Sequence, residues 1–213
     1  MIPRNRFAFW LVFMLPLAVT LLAGCAESTQ QEKQAIAEVT APFAASAITL
    51  NLTAEPQLNL WNEMSNSCTV LVIQAANNPA LDKILDDPMQ LKSLFNGAGT
   101  ADEILQVDRY TVMPGQKNTL HIDRAEKTRN IAIVAGYFPF PSKKHMAHFA
   151  IPVMTSSHGW ISPQWQAQLA PLQANITLGG KALVKAETVN LSDDNENADA
   201  GDNSTPASEK TAD

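Results

Sequence analysis

The sequence predicts a mainly β protein: an antiparallel β-sandwich with a short helical segment inserted after the second strand. Three observations support this prediction. Apolar and polar residues alternate through 48–53, a continuous apolar run covers 68–73, and a segment with two Pro-containing helix starts follows that run. Period-two alternation indicates a half-buried strand, and a short apolar run indicates a central one. Roughly six to eight short strands joined by Pro and Gly turns then favour two packed sheets.

The first two predicted strands are separated by a polar loop. Ile48, Leu50 and Leu52 alternate with Thr and Asn, and the apolar pattern extends or re-forms at 58–61 after a proline. The second strand covers 68–73. Between them the sequence Asn-Glu-Met-Ser-Asn-Ser has turn chemistry and no β-branched residue. We therefore place a loop at 61–67, between the two strands.

The inserted helical segment is indicated by two cap-and-proline pairs. Asn78 is predicted as an N-cap with Pro79 at the first helical position, and the pair Asp87-Pro88 repeats this arrangement. The second helix is predicted to bury one apolar face and to end at Asn96-Gly97. The predicted face consists of Met89, Leu91, Leu94 and Phe95. We expect this face to pack on a sheet.

The second half of the chain is rich in further strand patterns. Predicted strands cover 103–113, 118–123, 130–138 and 148–153, and the stretch 161–169 carries Trp165 near a proline. Two short apolar stretches, 175–178 and 182–184, flank Gly179-Gly180. A two-residue glycine turn between such stretches predicts a β-hairpin.

The first residues are typical of an export signal. Arg4 and Arg6 precede an apolar run, 7–22, that contains a proline and ends in Leu-Ala-Gly-Cys. The alternatives are a transmembrane anchor, for which sixteen apolar residues are few against the roughly 20 that span a bilayer, and an ordinary signal peptide with a chance cysteine. The small-small-Cys ending resembles a bacterial lipobox. This resemblance implies cleavage after residue 24, a diacylglyceryl thioether on Cys25 and, since Ala26 is not Asp, sorting to the outer membrane.

Composition divides the rest of the chain. We predict a signal peptide at 1–24, a flexible linker with a few helical turns at 25–46, a β-sandwich domain at 47–191 and a disordered acidic tail at 192–213. The stretch 46–191 holds eleven Lys and Arg and eleven Asp and Glu, whereas the tail holds seven acids and one Lys. A neutral body lacks the clustered cations that nucleic-acid binding requires.

Chemically reactive patterns are sparse. Once Cys25 is acylated, Cys68 has no intramolecular partner, and its place in a hydrophobic strand predicts a buried structural thiol. His145 and His148 are three apart, but they lie where a loop enters a strand, with no Cys or acid close by in sequence. The chain contains no Gly-x-Ser-x-Gly elbow, phosphate loop or dinucleotide fingerprint. We predict neither an enzyme nor a cofactor or metal site.

Several segments occur together, in one order, in a known family. They are the lipobox at Cys25, the strands 48–52 and 70–74, the helix 89–95, the strand and Pro-Gly turn 110–116, and the hydrophobic strand 131–138. With this order and spacing the chain resembles the outer-membrane lipoproteins of type VI secretion systems, the TssJ (SciN or VasD) family. The matching region covers about 46–153.

The resemblance implies a fold, a partner and a role. The fold would be a transthyretin-like β-sandwich with added helices. The protein would tether the secretion membrane complex to the outer membrane, on its periplasmic face, by binding the periplasmic C-terminal region of the inner-membrane protein TssM. The partner contact implied by the family is the loop between the first two strands. Here that loop consists of Trp61, Asn62, Glu63, Met64, Ser65, Asn66 and Ser67.

Two other functions remain open at this point. A periplasmic lipoprotein that binds a small ligand or an envelope glycan would use a deep pocket lined by Trp160 and Trp165. A hydrolase would need His, Asp and Ser in one cleft, and the sequence places no such cluster. For Trp61, the alternative to a partner contact is a side chain that simply covers the open end of the sandwich.

Overall fold

A computed structural model describes residues 28–99, 103–159 and 164–189. The described part contains three α-helices, α1 at 28–38, α2 at Asn78–Leu85 and α3 at Pro88–Phe95, and one 3-10 helix at Lys143–His145. Its ten strands are β1 Ala44–Ala54, β2 Cys68–Ala75, β3 Ile104–Val112, β4 Lys117–Arg124, β5 Asn130–Ala135, β6 Met146–Ala150, β7 Val153–His158, β8 Gln164–Leu169, β9 Leu172–Leu178 and β10 Leu183–Thr188. The predicted signal peptide and acidic tail lie outside the described residues, as does Cys25.

Two four-stranded sheets form a β-sandwich. One sheet has the order β10-β9-β1-β4, the other has the order β3-β2-β5-β6, and β7 and β8 form a separate two-stranded hairpin. The mainly β sandwich with a short helical insert after β2 is therefore confirmed. The antiparallel prediction is wrong for one pair, since β1 and β9 run parallel, with Ile48 opposite Leu172 and Ala54 opposite Leu178. The alternation of side chains is the same in both directions, so the sequence pattern does not distinguish them.

The main core lies between the two sheets. From the first sheet, β1 contributes Ile48, Leu50 and Leu52, all fully buried, while Thr49 and Asn51 lie on the outer face. The predicted half-buried strand is therefore correct, and it begins at Ala44, inside the segment predicted as a linker. Inward-facing residues of β9, β2 and β5 complete this core.

A second core covers the outer face of the second sheet. The side chains of Leu71 and Ile73 on β2 point away from the first core and pack with Leu81 of α2 and Leu91 of α3. Strand β2 is thus buried on both faces, which is why its sequence is continuously apolar instead of alternating. The expectation that the inserted helices pack on a sheet is confirmed.

The ends of the helices follow the predicted chemistry with two corrections. The N-cap of α2 is Asn77, whose side chain accepts a hydrogen bond from the amide of Ala80, and not Asn78, so Pro79 is the second helical residue. The N-cap of α3 is Asp87, as predicted. Met89 is 75% exposed, so its assignment to the buried face of α3 is wrong. Leu91 and Leu94 are three residues apart and share one face, whereas Met89 is two and five residues from them and so lies on the opposite side of the helix.

Two strand boundaries differ from the prediction for local reasons. The β9–β10 connection is a four-residue turn, 179–182, closed by a hydrogen bond from the Gly179 amide to the Ala182 carbonyl. Strand β5 ends at Ala135, and not at Phe138, because the amides of Tyr137 and Phe138 donate to the Ala135 carbonyl and the Asn59 side chain instead of to a neighbouring strand. No helix among the described residues is both long enough and apolar enough to cross a membrane.

Candidate protein interface

One end of the sandwich is built from four connections, and we call it the loop end. The connections are 55–67 between β1 and β2, 113–116 between β3 and β4, 136–145 between β5 and β6, and the turn 179–182. Backbone hydrogen bonds join them. The Glu55 amide donates to the Leu178 carbonyl at 2.8 Å, and the Gly115 amide donates to the Glu55 carbonyl at 3.2 Å. These bonds fix the start of the loop against its neighbours.

The middle of loop 61–67 is a tight hairpin turn. Trp61 and Met64 exchange two backbone hydrogen bonds, at 2.9 and 3.0 Å. The two residues between them, Asn62 and Glu63, have positive φ angles of 48° and 62°. Positive φ at both central positions is the requirement of a type I′ turn, which Asn adopts readily and Glu does not. The turn therefore holds a strained Glu, and its geometry presents Trp61 and Met64 as neighbours.

Asn59 connects this turn to the rest of the loop end. Its side chain is buried, its Nδ2 donates to the Ser67 carbonyl at 2.9 Å, and its Oδ1 accepts from the Phe138 amide at 3.0 Å. The Asn66 side chain donates to the carbonyls of Asn59 and Met64. Because each bond uses a side-chain amide to satisfy backbone groups, the loop is ordered without a strand of its own.

The loop end exposes large apolar side chains. Trp61 is 46% exposed, Met64 64% and Phe138 54%. The Trp61 and Phe138 rings meet edge to face, with their centroids 4.2 Å apart. Met113, also exposed, precedes the turn that hydrogen-bonds to Glu55. A group of exposed aromatic and Met side chains on an ordered loop is the surface chemistry of a protein interface, since such a patch is costly to leave in water.

Tyr137 and His145 brace the loop end from beneath. The Tyr137 hydroxyl, buried, lies 2.9 Å from the carbonyls of both Gly179 and Ala182. His145 Nδ1 accepts from the Ser142 amide at 2.9 Å, Nε2 lies 3.0 Å from the Lys181 carbonyl, and the ring lies against Tyr137. Burial raises the pKa of Tyr137, and burial, aided by the Lys144 charge, lowers the pKa of His145. Both groups are therefore uncharged, and their contacts hold the 136–145 connection against the turn 179–182.

All seven residues predicted for the partner contact lie on this surface. Residues 61–67 are exposed along their whole length, and they lie between β1 and β2, as predicted. The sequence reasoning missed Phe138, which it placed in a buried strand. The signal was present in Phe138-Pro139-Phe140-Pro141, because alternating prolines cannot donate ladder hydrogen bonds and so end a strand.

A protein family matches this chain. The family of type VI secretion lipoproteins (VasD, EvfM, TssJ) matches residues 46–170, more than half of the sequence. The chain belongs to this family. The match begins within β1 and ends just before β9, so it includes β2 and the loop 55–67.

Solved structures of type VI secretion proteins are similar to this lipoprotein. The T6SS lipoprotein TssJ1 from Pseudomonas aeruginosa is 16% identical, with 70% of this chain and 98% of that chain covered and a TM-score of 0.48. Serratia marcescens Lip, a membrane-bound component of the type VI secretion system, is 18% identical over 67% and 96% of the two chains, with a TM-score of 0.48. A type VI membrane complex matches at 15% identity over 69% and 98%, with a TM-score of 0.45. No curated protein sequence matches the chain.

The other residues considered from sequence have structural partners in this lipoprotein. Cys68 is buried, and burial raises the pKa of its thiol to about 12, so it is a structural thiol, as predicted, and not a nucleophile. His145 and His148 have separate partners, since His148 faces Asp82 at 3.9 Å. Within the described ranges, no group of three or more His, Cys, Asp or Glu is placed to hold a metal.

The Trp165 side chain is partly covered by another part of the chain. Its side chain is half-buried on β8, and its indole Nε1 donates to the Ser28 hydroxyl of α1 at 3.3 Å. Trp160, the second residue of the suggested ligand pocket, lies outside the described residues. Trp165 therefore has α1 as a neighbour.

Proposed function

We propose that this lipoprotein holds a type VI secretion membrane complex at the outer membrane. Lipid on Cys25 anchors it to the inner leaflet, facing the periplasm, and the loop end binds the periplasmic C-terminal region of TssM. The role is mechanical and needs no catalysis or cofactor. The partner contact uses Trp61, Asn62, Glu63, Met64, Ser65, Asn66 and Ser67.

The observation that carries the proposal is the exposure of Trp61 and Met64 on an ordered turn. Interfaces derive most of their binding energy from a few large side chains, with Trp and other aromatic residues prominent among them. Their turn is already fixed by the Trp61–Met64 hydrogen bonds and by Asn59. A partner would therefore bind without first ordering the loop, which lowers the entropic cost of association.

The arrangement of the chain supports a tether. Strand β1 starts at Ala44, on the side of Cys25, and ends at Ala54, where the loop end begins. Eleven residues of strand at about 3.3 Å each span roughly 35 Å. The lipid and the proposed contact would thus lie at opposite ends of one strand. A pull on TssM is then transmitted along β1 to the membrane.

The test is binding of the acylation-free chain, residues 26–213, to the periplasmic region of TssM from the same cell. Trp61→Ala and Met64→Ala should each weaken binding by about 2 kcal/mol, roughly 30-fold, as expected for central contacts. Met64 is largely exposed, so Met64→Ala should keep the urea midpoint of the parent chain, whereas Trp61→Ala also removes the ring contact with Phe138 and should lower that midpoint slightly.

Matched controls are available at other exposed positions. Met89→Ala on α3 and Phe43→Ala ahead of β1 remove side chains that are 75% and 60% exposed. They should leave the affinity unchanged. If all four variants bind alike, the loop end is not the contact surface. If the parent chain is folded and does not bind TssM, the tethering function itself is wrong.

A further inference from the structure

The segment predicted as a flexible linker is partly folded. Residues 28–38 form α1, and its half-buried positions Ser28, Glu32 and Ala35, with Val39 directly after it, follow the spacing of one helix face. Two of these residues are bonded through their side chains to the β7–β8 hairpin. Trp165 Nε1 donates to Ser28 Oγ at 3.3 Å, and Thr155 Oγ1 donates to Glu32 Oε1 at 3.0 Å. The helix thus lies along the hairpin, with its first described residue, Ser28, toward the end that carries His158 and Gln164.

The hairpin presents a matching face to the helix. In the β7–β8 register Val153 is opposite Leu169 and Thr155 is opposite Ala167, and these four residues are half-buried. The other face, which includes Met154 and Gln168, is exposed. Two strands alone are marginally stable in water and need a further layer. Leu169, where the hairpin joins the sandwich, packs on the main core, and α1 covers the same face further out, at Thr155 and Trp165, so the hairpin and the helix stabilise each other.

The segment after α1 is held by the sandwich. Arg129 Nη1 donates to the Val39 carbonyl at 2.6 Å, and the Lys127 amide donates to the Ala41 carbonyl at 2.6 Å. Arg124, which is buried, donates through Nη2 to the Pro42 carbonyl at 3.2 Å. These three donors all belong to the β4–β5 region at the start of β1, opposite the loop end. Three backbone carbonyl groups between residues 39 and 42 are therefore fixed before the strand begins.

We propose that residues 28–43 and the β7–β8 hairpin fold as one unit, an anchor arm, that joins the lipid to the sandwich. Its place at the membrane rests on the lipidation of Cys25 in the proposed function. Only residues 26 and 27 separate Cys25 from the arm, and three peptide steps span at most about 11 Å. A free coil from Cys25 to β1, about twenty residues, would instead have an end-to-end distance of roughly 25 Å with wide variation.

The arm has two consequences for a tether. The short connection keeps Ser28, and with it the outer end of the hairpin, close to the bilayer surface, so the loop end, at the far end of β1, would point into the periplasm. Force on the loop end would act on the α1–hairpin contact before it reached the lipid. The lipoprotein then acts as a rigid spacer of defined length between the membrane and its partner, and not as a domain on a flexible linker.

The docking can be tested by distance measurements between paired spin labels in the full mature chain with Cys25→Ser. Labels on Lys33→Cys of α1 and Gln168→Cys of the hairpin occupy exposed positions. Cys68 is buried with a raised pKa and should stay unlabelled. The anchor arm predicts one narrow distance distribution, whereas a distribution as broad as that of a free coil would overturn the proposal.

A matched pair of substitutions links the distance to the contact. Ala35→Asp puts a charge on the half-buried face of α1, and Ala37→Asp puts the same charge on the exposed face. Ala35→Asp should broaden the distribution and raise amide hydrogen exchange in β7 and β8 several-fold, and Ala37→Asp should change neither. Equal behaviour of the two variants would contradict the proposal.

Two further readouts keep this test separate from that of the proposed function. A label pair at Lys117→Cys and Lys181→Cys, both exposed on the sandwich, should give the same distance in every variant if the sandwich stays folded. The chain carries no lipid and no TssM in these measurements. Docking of α1 can therefore fail while TssM binding stands, and TssM binding can fail while docking stands.

Discussion

At the scale of single residues, Asn59 shows how one side chain sets the shape of the loop end. Its φ angle of 47° lies in the left-handed region, which Asn tolerates better than other residues with a side chain. Its amide pairs with both the end of loop 61–67 and the backbone of Phe138. The same residue thus turns the chain and aligns the two segments that carry the exposed aromatic rings. Asparagine meets both demands, which explains its presence at a buried position.

His145 gives the loop end a dependence on pH. The neutral ring accepts at Nδ1 from the Ser142 amide and lies against the Lys181 carbonyl at Nε2, a pattern that a doubly protonated ring cannot keep. Burial, with the charge of Lys144, lowers the pKa of His145 below its ordinary value of 6.5. The unfolded chain therefore binds the proton more tightly than the folded chain does. The contribution of His145 to the free energy of unfolding is fully present above pH 6.5 and is lost as the pH falls from there through the lowered pKa.

We expect the urea midpoint of the acylation-free chain to fall between pH 7.5 and pH 5, and to fall less in His145→Gln. The glutamine keeps a polar side chain at this position but has no titratable group. His121→Gln, on the exposed surface of β4, is the control for the loss of a histidine. Equal loss of pH dependence in the two variants would show that His145 is not the responsible group.

At the scale of secondary structure, the elements that were predicted have local signals and those that were missed do not. The alternation in β1, the apolar run of β2 and the Asp87-Pro88 start of α3 are each set by the residues of that element. The parallel pairing of β1 with β9 is a choice between partners about 120 residues apart, which no local pattern encodes. Helix α1 was expected only as a few turns, because its packing face becomes apparent only beside β7 and β8.

The same distinction holds for the candidate interface. Loop 61–67 was placed correctly because its turn residues lie between two clear strands. Phe138 was missed because its contact with Trp61 joins segments far apart in sequence. The apolar character of a residue does not show whether it faces a core or solvent. Whether an apolar residue is buried or exposed depends on the fold, and Met89 is an apolar residue that the fold leaves exposed.

Helix α3 supplies a prediction for an element with a defined cap. Asp87 Oδ1 accepts hydrogen bonds from the amides of Met89 and Gln90, at 2.9 and 3.0 Å. Asp87→Ala removes both and should lower the free energy of unfolding by about 1 kcal/mol. The neighbouring Asp86→Ala removes only an exposed ion pair with Lys143 and should cost at most about 0.5 kcal/mol. Urea denaturation of both variants compares the two, and equal losses would show that the Asp87 cap does not stabilise the fold.

At the scale of the whole molecule, the two ends of β1 serve different attachments. The anchor arm meets the sandwich where β1 begins, and the loop end lies where β1 ends. Between them lies the continuous core of the two sheets. Protein cores are close-packed and do not deform gradually, so the loop end should keep its shape whether or not the lipid is present. The proposed lipid and partner attachments should therefore be separable by substitution.

This separation is a prediction for the protein in the cell. Cys25→Ser should leave the membrane fraction and still bind the TssM periplasmic region with the affinity of the parent body, because residue 25 precedes the first strand in sequence and is not part of loop 61–67. Trp61→Ala should remain in the outer-membrane fraction and fail to retrieve TssM. Both variants should lose secretion, since a tether needs both attachments at once. Fractionation, retrieval of TssM and a secretion assay on the same cells give the three readouts. Normal secretion by the Cys25→Ser protein would show that anchoring is not the mechanism, and weaker TssM binding by that protein would show that the two ends are coupled.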